Sequence, residues 1–326
     1  MRHLSPILIL LLLLSFIGCS EKSNVKELKL AHGLDVTHPV HTGMVFMAKR
    51  LEEISDGQMT MKIYPSGQLG NERELLELLQ MGSLSLTKVS AAIVENFAPK
   101  FKVLGLPYLF ESSEHMYEVL DGPIGEGLLE EGEKFRFRGL CFYDAGSRSF
   151  YTKDRPVNAP KDLDGMKIRV MKSNTAMNMV TSLGGSPTPI SFGELYTALQ
   201  QGVVDGAENN PPSFYSSRHY EVCKYYSLDE HTSVPDVLLV SLEWWQNMTP
   251  QEQGWLKQAA LESVPFQRVE WAKSEKESLE KVAAAGVEII RPDKSKFTEQ
   301  VSSIYDDYKD QTEIYELILK IKEEAR

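Results

Sequence analysis

The sequence predicts an α/β protein of two units, each an open and largely parallel sheet with helices on its faces. Three observations carry this. Short β-rich runs alternate with helical stretches from residue 26 onward. The length, 326 residues, suits two domains. A late β run, VLLVSLEWW, follows the second unit in a position where the chain returns to the first.

In the first unit, ELKLAHG reads as a strand, and THPVHTGMVFMAKRLEEISDG as a helix with Met44, Ala48 and Leu51 on one face and Gly57 as its stop. MTMKIYPSG is a strand ended by Pro65, and Asn71 caps a helix through ERELLELLQMG that closes at Gly82. LSLTKVS and KVLGLPYLF are further strand candidates. The second unit opens near GLCFYDAGSRSFYT and contains MKIRV as a strand and NTAMNMVTSLGG as a helix. Ser191 and Glu194 have the spacing of a capping box, Leu195 and Leu199 form a buried stripe, and Gly202 ends that helix. VVDGAE then has the length of one short strand, which puts Glu208 and Asn209 at its carboxyl end, where open α/β sheets place ligands.

Thr249, Pro250 and Glu252 start a long helix over 250–285, about 50 Å at 1.5 Å per residue, which can lie across both units. Pro265 should kink it. The resulting organisation is 26–145 plus 235–260 as one lobe, 146–234 as the other, the spanning helix, and a C-terminal helical segment over 286–326.

Composition excludes several classes. Apolar residues make up 42% and charged residues 25%, ordinary values for a globular protein, and the net charge of −11 comes without a basic block that could track a nucleic-acid backbone. Residues 1–19 pair Arg2 with a short apolar run from Ile7 to Leu14 and small residues near Gly18, the pattern of a signal peptide. FIGC is similar to a lipoprotein signal, with Cys19 as the lipid anchor. Cys141 and Cys223 then remain; they could pair, but their apolar surroundings read as small core residues.

Arg169, between Ile168 and Val170, faces the opposite way from both by the period of two. A buried arginine needs an anion, either an acid of the chain or a bound carboxylate. Arg148 has the same character, and no acid is as evidently placed beside either. Asn209 offers a donor and an acceptor at a sheet edge, or is a turn residue ahead of Pro211 and Pro212. Lys88 either faces solvent or points into a cleft. His32, His38, His41 and Asp35 match no zinc spacing, and no cofactor motif, nucleophile elbow or phosphate loop is present. No metal, cofactor or catalytic residue is expected.

Taken together, YPSGQLGNERELLELLQMG, VLDGPIG, DLDGMKIRV and PTPISFGELYTALQQGVVDGAENN resemble the solute-receptor subunits of tripartite ATP-independent periplasmic (TRAP) transporters of the DctP type. The resemblance covers essentially the whole chain after residue 19. It implies a periplasmic binding protein fold, two α/β lobes around a ligand cleft. The receptor would close on an organic acid and deliver it to small and large integral membrane subunits. It further implies that Arg169 grips the ligand carboxylate, that Arg148 and Asn209 are polar contacts, and that Phe192 lies against the carbon skeleton. Ala207 and Asn210 depart from the family's glutamine and proline. LTKVSAA and the surroundings of Arg148 and Asn209 are similar to the hexuronate branch, for which His32, Glu72, Lys88, Ser90 and Asn209 would read hydroxyls. A four-carbon dicarboxylate, sialic acid or an aldonate are the alternative ligands. A sensor-only receptor or a sugar-acid enzyme with His32 as base are the alternative functions.

Overall fold

The protein is described here by a computed structural model over residues 25–324. Residues 1–19, expected to be a signal peptide, and Cys19, the expected anchor, lie outside the described residues.

Strands β1 (Lys26–Ala31), β2 (Met59–Tyr64), β3 (Leu86–Ser90), β4 (Phe137–Tyr143) and β10 (Asp236–Ser241) form a five-stranded sheet in the order β2-β1-β3-β10-β4. Strands β5 (Arg148–Thr152), β6 (Lys167–Val170), β7 (Ser186–Pro189), β8 (Gly206–Asn209), β9 (Tyr225–Thr232) and β11 (Glu288–Ile290) form a six-stranded sheet in the order β11-β9-β5-β8-β6-β7. Both sheets are more mixed than the alternating pattern predicts. In the first, β10 is antiparallel to β3 and β4, and in the second β5 is antiparallel to β8 and β9. The cause is the pair of short crossings, 144–147 and 233–235. Each carries the chain from a strand of one sheet into a strand of the other, too short to hold the crossover helix that parallel neighbours require.

The long helix runs from Pro250 to Ala284, with the Thr249–Glu252 capping box in place, and continues through Pro265. It buries Leu256, Ala259, Ala260, Val264 and Trp271 in the core of the first sheet, and near its end Val282 enters the core of the second. The helix therefore ties the two sheets together. Its tightest approach is to the helix Pro39–Ile54 at Gly43, where a Cβ would come within 2.8 Å of the Gln267 side chain. Gln267 in turn brackets the first crossing: its Oε1 accepts from the Asp144 N–H at 2.9 Å and its Nε2 donates to the Asp144 carbonyl at 2.8 Å.

Three local expectations need correction. KVLGLPYLF is not a strand; Pro99–Gly105 forms a 3₁₀ turn that buries Phe101, Val103 and Leu104. A short apolar run satisfies its burial equally well either way. Ser191 does not cap with its side chain, and the chain winds through a 3₁₀ turn, Phe192–Glu194, before the helix Leu195–Gln200. The C-terminal segment is not wholly helical, since β11 adds to the edge of the second sheet beside β9 before the helices Lys294–Val301 and Thr312–Glu324. Cys141 and Cys223 are both free and buried.

Candidate functional site

A cleft of about 300 Å³ opens between the two sheets, lined from the first by Glu72, Lys88, Ser90, His38 and Asp236 and from the second by Arg148, Arg169, Phe192 and Asn209. All but one of the site residues expected from sequence converge here. The exception is His32.

His32 is fully buried and absent from the cleft wall. Its Nδ1 accepts from the Leu34 N–H at 3.1 Å, so its Nε2 carries the proton and donates to His41 Nδ1 at 3.0 Å. Burial, with the nearby Lys88 charge adding to it, drives its pKa down to about 2. A neutral imidazole locked by two partners supports the loop and offers a ligand nothing. His38 takes the place at the cleft instead. Its Nδ1 accepts from the Val40 N–H at the start of its helix, and its Nε2 reaches Ser213 Oγ across the cleft at 3.1 Å.

The two buried arginines differ sharply. Arg148 in β5 is paired with Glu208 in β8, two residues along the same face of adjacent antiparallel strands. Its Nε and Nη2 both donate to the Glu208 carboxylate, Nη2 also to the Glu208 carbonyl at 2.8 Å, and Nη1 to Asn209 Oδ1 at 2.8 Å. Burial opposes the Arg148 charge, but Glu208 outweighs it and raises the pKa. Burial would raise the Glu208 carboxyl, yet Arg148 and His231 bring it down to about 2. His231 in β9 continues the chain of charges. Burial works against its charge, but Asp229, 2.8 Å away, and Glu208 lift its pKa to about 9.

Arg169 in β6 has no such partner. It is 2% exposed, and its Nε donates to the Ile190 carbonyl at 2.8 Å. Nη1 is buried without a hydrogen-bond partner. Burial depresses its pKa despite some relief from Tyr151 and Glu208. Phe192 sits beside it, with the guanidinium carbon 5.9 Å from the ring centroid. An uncompensated cation beside an apolar ring at the end of a strand is suited to hold a carboxylate against a carbon skeleton.

Lys88 in β3 points into the cleft and does not face solvent. Its Nζ donates to Glu72 Oε1 at 2.9 Å and to Asp236 Oδ1 at 3.1 Å. Burial opposes its charge, but Asp236 and Glu72 raise its pKa. Glu72 is delivered by the first turn of the helix Glu72–Gln80, which Asn71 caps in a full box with Glu74. Ser90 ends β3 without capping the helix that follows, so its hydroxyl is free of that duty.

Glu208, Asn209 and Asn210 turn out to have three separate tasks. Glu208 neutralises Arg148. Asn209 spends Oδ1 on Arg148 and on the Asn210 N–H, which leaves its amide NH₂ as the group it can offer. Asn210 caps the helix Pro211–Ser216 through Ser213 N–H and donates to the Ala145 carbonyl in the first crossing. Sequence reasoning missed Glu208 and Asp236 as partners. The usable signal was same-face charge complementarity, Arg148 with Glu208 and Lys88 with Asp236, which becomes readable once strand pairing is known.

Residues 30–311 match the family described as bacterial extracellular solute-binding protein, family 7. An uncharacterized protein, YiiZ, of Salmonella typhimurium is 40% identical over 297 residues, 90% of each chain. A TRAP periplasmic solute-binding protein from Xanthobacter autotrophicus, solved with bound β-D-galacturonate, is 37% identical with a TM-score of 0.88, covering 90% of this chain and 99% of its own. One from Anaerococcus prevotii, solved with bound α/β-D-glucuronate, is likewise 37% identical with a TM-score of 0.88, covering 92% and 99%. The chain belongs to family 7 of the bacterial extracellular solute-binding proteins, the DctP-type periplasmic receptors of TRAP transport.

Proposed function

We propose that this protein is a receptor for a hexuronate, glucuronate or galacturonate, which it hands to the small and large membrane subunits of a TRAP transporter. The observation that carries this reading is Arg169, a buried guanidinium with an unpartnered Nη1 at the wall of an interlobe cleft. Arg169 takes the carboxylate. Arg148, held rigid by Glu208, keeps one Nη1 proton for the same oxygens and fixes Asn209, whose NH₂ meets a ring or hydroxyl oxygen. Phe192 covers an apolar face of the sugar, and Lys88, Glu72 and Ser90 read hydroxyls from the opposite wall. The ligands held by the structural relatives support this choice.

The lobes, 26–145 with 235–260 and 146–234 with β11 added, close on the ligand because only the closed form lets both walls touch it. Anchoring at Cys19 keeps the receptor near its membrane partners, and mass measurement of the mature amino terminus checks that part. His38 at the cleft is neutral, its pKa lowered to about 3 by burial and then by Lys88, which suits it to hydrogen bonding. Membership of a solute-binding family supports the receptor role.

A thermal-shift panel tests the reading, with protein lacking residues 1–19 and with glucuronate, galacturonate, aldonates, sialic acid, succinate and malate. Ligand at a thousand times its dissociation constant stabilises by about 4 kcal/mol, a shift of several degrees. A response centred on the uronates is expected. A response to succinate or malate alone overturns the substrate.

A further inference from the structure

We infer that the Glu72–Lys88–Asp236 trio makes this receptor selective for monoanions, so that it takes polyhydroxy monocarboxylates and rejects the corresponding dicarboxylates. The inference rests on Arg169 holding a carboxylate from the other wall and deepens that reading by fixing what the far end of the ligand carries.

The argument is one of charge. On the second lobe, the Arg148–Glu208 and His231–Asp229 pairs cancel internally, leaving Arg169 as the one buried cation of that wall without a counter-charge among the described residues; Lys172, on the same wall, is exposed to solvent, which screens its charge. That wall calls for a single negative charge. On the first lobe the balance is reversed: one lysine, 2% exposed, serves two carboxylates at 2.9 and 3.1 Å. The trio carries a net negative charge before any ligand arrives. Burial, with Glu72 adding to it against the pull of Lys88, raises the Asp236 carboxyl above the usual range, as expected where negative charge is already in excess.

A hydroxyl suits this wall in both directions. Lys88 has a third N–H to give to its oxygen, and the carboxylates accept its proton. A carboxylate there has no proton to give and would face two of its own kind at close range in a partly desolvated cleft. Like charges so placed cost several kcal/mol in binding. Both walls thus specify one anion at one end and hydroxyls at the other.

The test compares galacturonate with galactarate, the six-carbon acid that has a second carboxylate in place of the aldehyde carbon, by calorimetry at pH 7. Wild-type protein should prefer galacturonate by about 100-fold or more. Glu72→Gln, at the partly exposed end of the trio, should narrow that preference about tenfold by admitting galactarate. Asp236→Asn should act in the same direction; its melting point, taken alongside, separates a binding change from misfolding. Equal affinity of wild-type protein for the two acids overturns the inference while leaving the Arg169 reading intact. So does a strong preference that neither variant alters. Where glucuronate is the ligand, glucuronate against glucarate takes the same test; binding of none of these four acids overturns the uronate reading and this inference together.

Discussion

Arg148 and Arg169 stand on neighbouring parts of one sheet, both buried and both lining the cleft, yet the charge of one is met within the protein and that of the other is not. Arg148 is neutralised by Glu208 and braced by Asn209, with one Nη1 proton to spare; Arg169 spends Nε on a carbonyl and leaves Nη1 unpartnered. A buried charge without its counter-charge is unfavourable in the free protein, and a binding protein can tolerate that only where a ligand later supplies the missing partner. The pairing of a buried cation, more than its burial, therefore separates frame from site.

That contrast can be broken from either side. Glu208→Gln should be the most damaging change to stability, about 3–5 kcal/mol by urea denaturation, because it strands Arg148 and His231 with a neutral partner. Arg169→Met should do the opposite. Removing an uncompensated charge while keeping a flexible apolar stem of similar length should raise the stability of the ligand-free protein by about 1 kcal/mol. A loss of 3 kcal/mol or more there would place Arg169 in the frame beside Arg148.

A smaller effect comes from the junction between the lobes. Glu275 on the long helix lies by Gly146 in the first crossing, and burial, with Asp144 and Glu230 nearby, raises its pKa to about 7. The folded protein thus holds a proton there that the unfolded chain, with an ordinary carboxyl near 4.5, has already released. Stability from this group is complete below about pH 4.5 and is lost as pH rises through 7. Glu275→Gln should flatten the fall in melting temperature over that window and leave the protein more stable than wild type at pH 8. An unchanged profile would show that Glu275 titrates normally.

Much of this was legible in the sequence because local rules happened to be decisive. The Asn71 cap, the Thr249 box, the spanning helix and the strand around Arg169 follow from caps and periodicity that act within a few residues. What stayed hidden was non-local. Arg148 and Glu208 are 60 residues apart, and Lys88 and Asp236 are 148 apart, so their pairing depends on strand register that no local pattern encodes. His32 misled as well. The resemblance to the hexuronate branch suggested it as a hydroxyl reader, whereas bonds to Leu34 and His41 turn the ring into the protein.

The most direct test is calorimetric titration of galacturonate and glucuronate into wild-type protein and Arg169→Met, with Arg169→Lys alongside. Losing a buried charge-assisted clamp costs about 2–5 kcal/mol, so Arg169→Met should weaken whichever uronate binds by about 30-fold or more. Lysine, which cannot reproduce the two-pronged contact, should recover only part of it. Affinity within about threefold of wild type in Arg169→Met would contradict the assignment of Arg169 as the carboxylate site.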